Sequence, residues 1–310
     1  MADDPQQLVV LSGKGGTGKT TVTAALAHLA AQELSLSIAD ADVDAANLEL
    51  VLDVQHVSLH EFASGFLAEI DPDLCISCGQ CYEACYFEAI TPGGVGIPYE
   101  IDRTVCEGCA ACHYRCPVDA ISLLTPPSGL WYESNTRFGP LFHAHLFAGG
   151  ENSGKLVTLV RQQARLRALD DHRDLVLVDG PPGIGCPVIS AVAGATLALM
   201  VVEPTLSGAH DLSRVLELAE HFGVPAAVVV NKADLSDKRT EEIEAFCAAR
   251  AIPLVGRIPY DTVATEAMVQ GVPVTEFTDG PVSQALVDIW GIIKDKFVGR
   301  TDDRVEDQLI

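Results

Sequence analysis

Gly13-Lys14-Gly15-Gly16-Thr17-Gly18-Lys19-Thr20 is the stretch that decides the fold. It matches the pattern G-x-x-x-x-G-K-S/T and stands between the apolar run Leu8–Leu11 and the alanine-rich stretch Thr20–Gln32. These flanks read as a strand and a helix, which is the context the pattern requires. The glycines let successive backbone N–H groups turn inward around phosphate oxygens, and the helix N-terminus adds its positive dipole end. Gly13 to Gly18 then form a phosphate cradle, Lys19 holds the β- and γ-phosphates, and the Thr20 hydroxyl ligates Mg²⁺ with Thr21 beside it.

The pattern extends outward from this loop. A second strand is expected at Leu34–Ala39, ending in Asp40-Ala41-Asp42-Val43-Asp44. Leu175–Val178, Leu197–Val202, Ala226–Val230 and Leu254–Ile258 are short, nearly continuous apolar runs, as in strands buried on both faces of a parallel sheet. Helical stretches near 156–169, 212–222, 240–249 and 262–270 alternate with them. The fold class expected is α/β, a doubly wound and mostly parallel sheet. A last helix near Val282–Phe297 puts Leu286, Ile289, Trp290, Ile293 and Phe297 on one face. It reads as a core-packing helix rather than a membrane-targeting one, because the tail Thr301–Ile310 is net acidic.

Composition narrows the function. The 310 residues include 20 Lys+Arg and 43 Asp+Glu, a formal net charge of −23. That balance argues against nucleic acid or an anionic membrane as partner, since both carry negative charge. A chain 48% hydrophobic and only 20% charged is not a disordered one. No apolar run is long enough for a membrane span. The acidic start Met1-Ala2-Asp3-Asp4-Pro5 has no apolar signal region, so a cytoplasmic location is expected.

Eight of the ten cysteines fall within residues 75–116. Cys75-x₂-Cys78-x₂-Cys81-x₃-Cys85 is followed by Cys106-x₂-Cys109-x₂-Cys112-x₃-Cys116-Pro117. This is the spacing of bacterial two-cluster ferredoxins, in which the fourth cysteine of each run crosses to the other cluster. One 4Fe–4S cluster is thus expected on Cys75, Cys78, Cys81 and Cys116, and a second on Cys106, Cys109, Cys112 and Cys85. Tyr86 replaces the usual proline after Cys85, which touches local geometry and not ligation. Two zinc sites would call for four ligands in separate knuckles, which this repeat does not suggest. Residues 71–125 are accordingly expected as an inserted ferredoxin-like domain, with 1–70 and 126–310 forming the nucleotide domain. Residues 126–152 read as the return connection, extended over Leu141–Phe147, with Glu151-Asn152-Ser153 offering a helix cap. His143 and His145 alternate on that extended stretch; two ligands alone do not make a metal site, so they read as ordinary strand residues. Cys247 reads as core.

Lys14 adds a family. A second lysine early in the loop, together with Lys19, resembles the deviant Walker A signature of the MinD/ParA/Mrp/nitrogenase-iron-protein superfamily. The resemblance implies an ATP-dependent dimer in which Lys14 reaches the partner's nucleotide. Asp40-x-Asp42-x-Asp44 followed by Asn47-Leu48 is similar to the family's second-strand motif, implying that Asp42 orients the attacking water, with Asp40 its rival and Asp44 a helix cap. Asp179-Gly180-Pro181-Pro182-Gly183 resembles the Walker B and switch II segment, implying that Asp179 holds Mg²⁺ through water. Asn231-Lys232-Ala233-Asp234 taken alone is the N-K-x-D guanine-reading pattern, whereas in the MinD/Mrp group the Asn contacts adenine. Ile258-Pro259-Tyr260-Asp261 resembles the base-side loop, implying roles for Pro259 and Asp261. Cys186, seven residues after Asp179, sits at an offset similar to that of the intersubunit cluster ligand of the nitrogenase iron protein.

The resemblance covers roughly residues 7–50 and 153–298. It implies a ferredoxin-domain-containing P-loop ATPase, similar to those associated with the orange-protein complex, using ATP/ADP, Mg²⁺ and two 4Fe–4S clusters. A homodimer or a heterodimer with a paralogous ATPase is implied, with a redox or iron–sulfur protein as partner. Three functions compete: an ATP-gated electron donor, an Mrp-like iron–sulfur carrier, and a MinD-like positioning ATPase. The carriers use a late C-x-x-C pair, and Cys186 and Cys247 offer none.

Overall fold

The computed structural model describes residues 4–94, 96–147 and 153–298. The start at 1–3, the Glu151-Asn152 part of the expected cap and the acidic tail at 301–310 lie outside the described residues. In chain order the elements begin with β1 (Gln6–Ser12), α1 (Lys19–Ala30), β2 (Leu36–Asp40), a 3-10 turn (Leu48–Leu50), β3 (Gln55–Ala63) and β4 (Leu67–Ile70). Then come α2 (Gln80–Ala84), β5 (Ile90–Thr91), β6 (Glu100–Ile101), α3 (Ala111–Arg115), β7 (Ile121–Leu124), β8 (Pro127–Thr136) and β9 (Gly139–Leu146). The chain continues through α4 (Ser153–Asp170), β10 (Leu175–Pro182), α5 (Cys186–Val192), β11 (Leu197–Val202), α6 (Leu206–His221), β12 (Ala226–Asn231) and α7 (Asp237–Ala249). It ends with β13 (Leu254–Ile258), α8 (Val263–Val269), α9 (Val274–Phe277) and α10 (Pro281–Ile293).

Two compact units result, Met1–His60 with Trp131–Leu146 and Ser153–Ile310, and Glu61–Leu130 with Phe147–Asn152. The division falls inside β3 and β8, outside the expected 71–125 on both sides. Its signal is faint in the sequence: β3 is mostly exposed, and its short alternation of Val57 and Leu59 with His56, Ser58 and His60 marks no buried face.

The sheet runs in the order β13-β12-β11-β1-β10-β2-β9-β8-β3. From β13 to β9 every neighbouring pair is parallel, as the apolar runs foretell. Successive side chains of a strand point to opposite faces, and here both faces are covered. Leu8 and Val10 join α1 and α10 in one core cluster, while Val9 and Leu11 are equally buried on the other side. On that other side Ser37 donates its hydroxyl to the Ala164 carbonyl of α4 at 2.8 Å. The sheet is thus doubly wound.

Three details differ from expectation. Residues 126–152 contain two strands, β8 and β9, rather than a connection with one extended piece. The last helix is α-helical only to Ile293 and closes in a π turn at Lys294–Val298. Asp44 caps nothing among the described residues; Asn47 stands at the N-cap of the 3-10 turn, without a side-chain capping bond.

The second unit is small. β4 pairs antiparallel with β7 and β5 with β6, around a core of Ala68, Cys81, Ile90, Cys112 and Ile121. Its two cysteine runs adopt the same backbone. Left-handed residues fall at Ser77, Gly79 and Glu88 in the first, and at the matching Gly108, Ala110 and Asp119 in the second.

Candidate functional site

The phosphate loop leaves the carboxyl end of β1, between β10 and β11. At this edge of a parallel sheet the strands deliver their chemistry. Asp179 of β10 lies in register with Asp40 of β2. A cavity of about 660 Å³ opens above them, lined by Gly15 to Thr21, Asp42, Asp44, Asn47, Pro182, Asn231, Pro259, Tyr260 and Asp261. That size lies within the range of small-molecule clefts, about 300–1,000 Å³.

Lys19 is the electrostatic centre. Its ammonium donates to Asp179 Oδ1 at 2.9 Å and lies 3.5 Å from Asp42 Oδ2. Burial opposes its charge, but Asp179, Asp42 and Asp40 together outweigh burial and hold the ammonium above its ordinary pKa range. The Thr20 hydroxyl donates to Asp179 Oδ2 at 2.7 Å, and Thr23 donates to Oδ1 at 2.9 Å. Asp179, Lys19 and Thr20 are therefore already assembled. Thr23 joins them without having been expected; only its place one turn past Lys19 on α1 signals it.

The acidic run divides by role. Asp40 is fully buried, and both of its carboxylate oxygens are occupied by backbone N–H groups: Oδ1 by Asp42 at 3.2 Å, Oδ2 by Asn47 at 3.1 Å and Leu48 at 3.0 Å. Burial, then the neighbouring Asp179, push its pKa up to about 7. Asp42 faces the cavity instead, and burial raises its pKa against the pull of Lys19.

Asn231 is a strut as well as a wall. Its amide donates to the Thr17 carbonyl at 2.7 Å, and it presses so closely on the loop that a Cβ on Gly18, at φ +90, would come within 2.2 Å of its nitrogen. Asp234 accepts the Tyr260 N–H at 2.7 Å, and Asp261 accepts the Val263 N–H at 3.0 Å. The base-side loop is thus tied by carboxylates that engage backbone.

Gly13 and Lys14 stand apart from the cavity. The Lys14 ammonium reaches Thr205 and Ser207 hydroxyls at 3.3 Å each and Glu203 at 3.4 Å. Glu203 also pairs with Lys232. Sequence reading missed Glu203; the signal available was its place just past the apolar run Leu197–Val202, where a parallel strand ends.

In the second unit the cysteines converge in fours. One small cavity is lined by Cys75, Cys78, Cys81 and Cys116, another by Cys85, Cys106, Cys109 and Cys112. Burial pushes the thiols of Cys81 and Cys112 up, the latter to about 11. Such thiols yield their protons to a metal rather than to water. Cys186 is exposed at the start of α5, and Cys247 is buried in α7.

Comparison with known proteins agrees with the nucleotide site. An uncharacterised protein of Methanocaldococcus jannaschii is 37% identical over 74% of this chain and 79% of its own length. An iron-sulfur cluster carrier protein of Pyrococcus furiosus is 22% identical over 91% of this chain and 83% of its own. Among solved structures, the septum site-determining protein MinD of Pyrococcus horikoshii, complexed with Mg-ADP, superposes with a TM-score of 0.58 at 20% identity, covering 93% of this chain and 96% of that one. The model of the CobQ/CobB/MinD/ParA nucleotide binding domain matches residues 8–274. With its P-loop, Asp179 and doubly wound parallel sheet, the chain belongs to the CobQ/CobB/MinD/ParA nucleotide-binding family.

Proposed function

We propose that this chain is a dimeric Mg-ATP-dependent switch ATPase whose nucleotide state controls a two-cluster electron-transfer module and its docking to a redox or iron–sulfur protein. The observation that carries the reading is the convergence of eight cysteines on two cavities, four to each, in a chain that also carries an assembled P-loop site. Each set draws three cysteines from one run and the fourth from the other, which supports two 4Fe–4S clusters. Thiolates at those positions would hold the clusters, whose chemistry is one-electron transfer.

At the nucleotide site the phosphates of ATP draw Lys19 away from Asp179 and Asp42. Thr20 and Asp179, now linked by a hydrogen bond, are the residues that would hold Mg²⁺, which neutralises phosphate charge when bound. Asp42, relieved of Lys19, is free to accept a proton or orient water in the cavity it lines. Positioning of this kind supplies most of the catalysis in phosphoryl transfer. Asn231, Pro259 and Asp261 receive the base, which we assign as adenine. Lys14 crosses to the partner's nucleotide, and two copies of the exposed Cys186 approach the dimer axis.

An iron–sulfur carrier role is the second reading, favoured by the Pyrococcus furiosus relative. It is weakened by the separation of Cys186, exposed, from Cys247, buried, which leaves no late cysteine pair. A positioning ATPase with a redox sensor accounts less well for two complete cysteine sets. An anaerobic redox titration followed by EPR, with Mg-ADP and then with a non-hydrolysable ATP analogue, separates them. A potential shift of tens of millivolts is expected, about 59 mV being tenfold in equilibrium for one electron. Iron that transfers to an apo-ferredoxin with no nucleotide effect on potential would favour the carrier, and zinc in place of iron would overturn both.

A further inference from the structure

One cluster of ligating side chains lies outside everything described so far. His143 and His145 of β9 project to the same face of the strand, and Glu49 of the 3-10 turn meets them. Glu49 Oε2 lies 3.2 Å from His143 Nδ1, and Oε1 lies 3.3 Å from His145 Nε2. One donor atom from each residue falls within 4.8 Å of the others.

His143 is the informative member. It is wholly buried, in register with Asp40 on the neighbouring strand. Its Nε2 is held by the Ser134 hydroxyl at 3.0 Å, and Ser134 is held in turn by His56 Nδ1 at 2.9 Å. Its Nδ1 has no hydrogen-bond partner; Glu49 is near but not aligned for one. A polar atom without a partner is costly to bury, so its retention asks for a reason. Glu49, near but out of line, does not supply one. A neutral imidazole with one nitrogen fixed by a hydroxyl and a free lone pair on the other is the form that ligates metal, and the hydrogen bond on the far nitrogen is the usual orienting contact.

We propose that Glu49, His143 and His145 bind a Zn²⁺ ion. Two imidazoles exclude the hard cations Mg²⁺ and Ca²⁺, and two nitrogens with one carboxylate leave a fourth position for water in a tetrahedral zinc shell. His145 and Glu49 keep 41% and 19% of their side-chain surface and can close on an ion, while His143 supplies the rigid corner. The consequence concerns the nucleotide site. Glu49 follows the 40–48 loop that carries Asp42, so the ion ties that loop to β9.

The test uses the full chain, prepared anaerobically with its iron in place, exposed to Zn²⁺ alone and freed of loose metal on a chelating column. About one zinc per chain is expected to remain, with only nitrogen and oxygen neighbours near 2.0 Å by zinc-edge X-ray absorption. His145→Ala and Glu49→Gln, both at partly exposed positions, should each abolish that zinc without changing iron content or moving the melting temperature by more than a few degrees. Sulfur neighbours near 2.3 Å, zinc retention unchanged in both variants, or no retained zinc in the parent would overturn the proposal.

Discussion

The choice between Asp40 and Asp42 turns on which carboxylate has oxygens to spare. Asp40 spends both on the N–H groups of residues 42, 47 and 48 and is sealed from solvent. It shapes the loop that presents Asp42. Asp42 has no such obligation and looks into the cavity, 3.5 Å from Lys19. Asp42→Asn should therefore lower ATP turnover by about 10²-fold or more, the scale of losing one acid–base or water-orienting group, while nucleotide affinity stays within about threefold. Asp40→Asn should instead lower the melting temperature, because an amide has one acceptor oxygen where the carboxylate uses two. Steady-state phosphate release and fluorescent-nucleotide titration read the first, thermal melts the second. If Asp42→Asn keeps full turnover, Asp42 does not orient water. At this scale the spacing from Gly15 to Thr20 was legible as the lining of the cavity. The sequence showed His143 and His145 as an alternating pair but not Glu49, which the pairing of β2 with β9 brings beside them.

Among elements, legibility followed burial. The central strands β1, β2, β11 and β12 are almost wholly buried and show as apolar runs. β3 lies exposed at the far edge of the sheet, and its short alternation at Val57 and Leu59 buries neither side chain, so a reader of the sequence passes over it. The cysteine runs lie between these cases. Their helices α2 and α3 have five residues each, too short to be read from periodicity, yet the ligand spacing stands in for it. The placement of Cys116 with Cys75, Cys78 and Cys81, which the spacing also implies, makes a prediction. Cys116→Ser should lose about half of the iron, and its remaining EPR signal should match that of Cys78→Ser and differ from that of Cys109→Ser. A match with Cys109→Ser would mean that each run ligates its own cluster.

For the molecule as a whole, the proposed function requires two copies to meet. A formal charge of −23 per chain opposes the approach of a second copy, so a dimer requires a strong local attraction. In the proposed dimer Lys14 supplies it. Its side chain is 35% exposed, outside its own cavity, resting on Glu203, Thr205 and Ser207 through contacts of 3.3–3.4 Å. The contact is half-buried, but Glu203 keeps Lys232 as a partner if Lys14 leaves. Release of Lys14 toward a triphosphate across an interface thus costs little at its origin and gains a strong charge-assisted contact at its destination. Nothing in one chain's sequence sets that destination, which is why the dimer rests on resemblance and not on composition. In a slowly hydrolysing Asp42→Asn background, Mg-ATP should convert monomer to dimer by light scattering, and Mg-ADP should not. Adding Lys14→Ala should leave nucleotide binding intact, since Lys14 does not line its own cavity, and should hold the protein monomeric with ATP. A Lys14→Ala protein that dimerises over the same concentration range as its parent would remove Lys14 from the interface and leave the resting contact with Glu203 as its role.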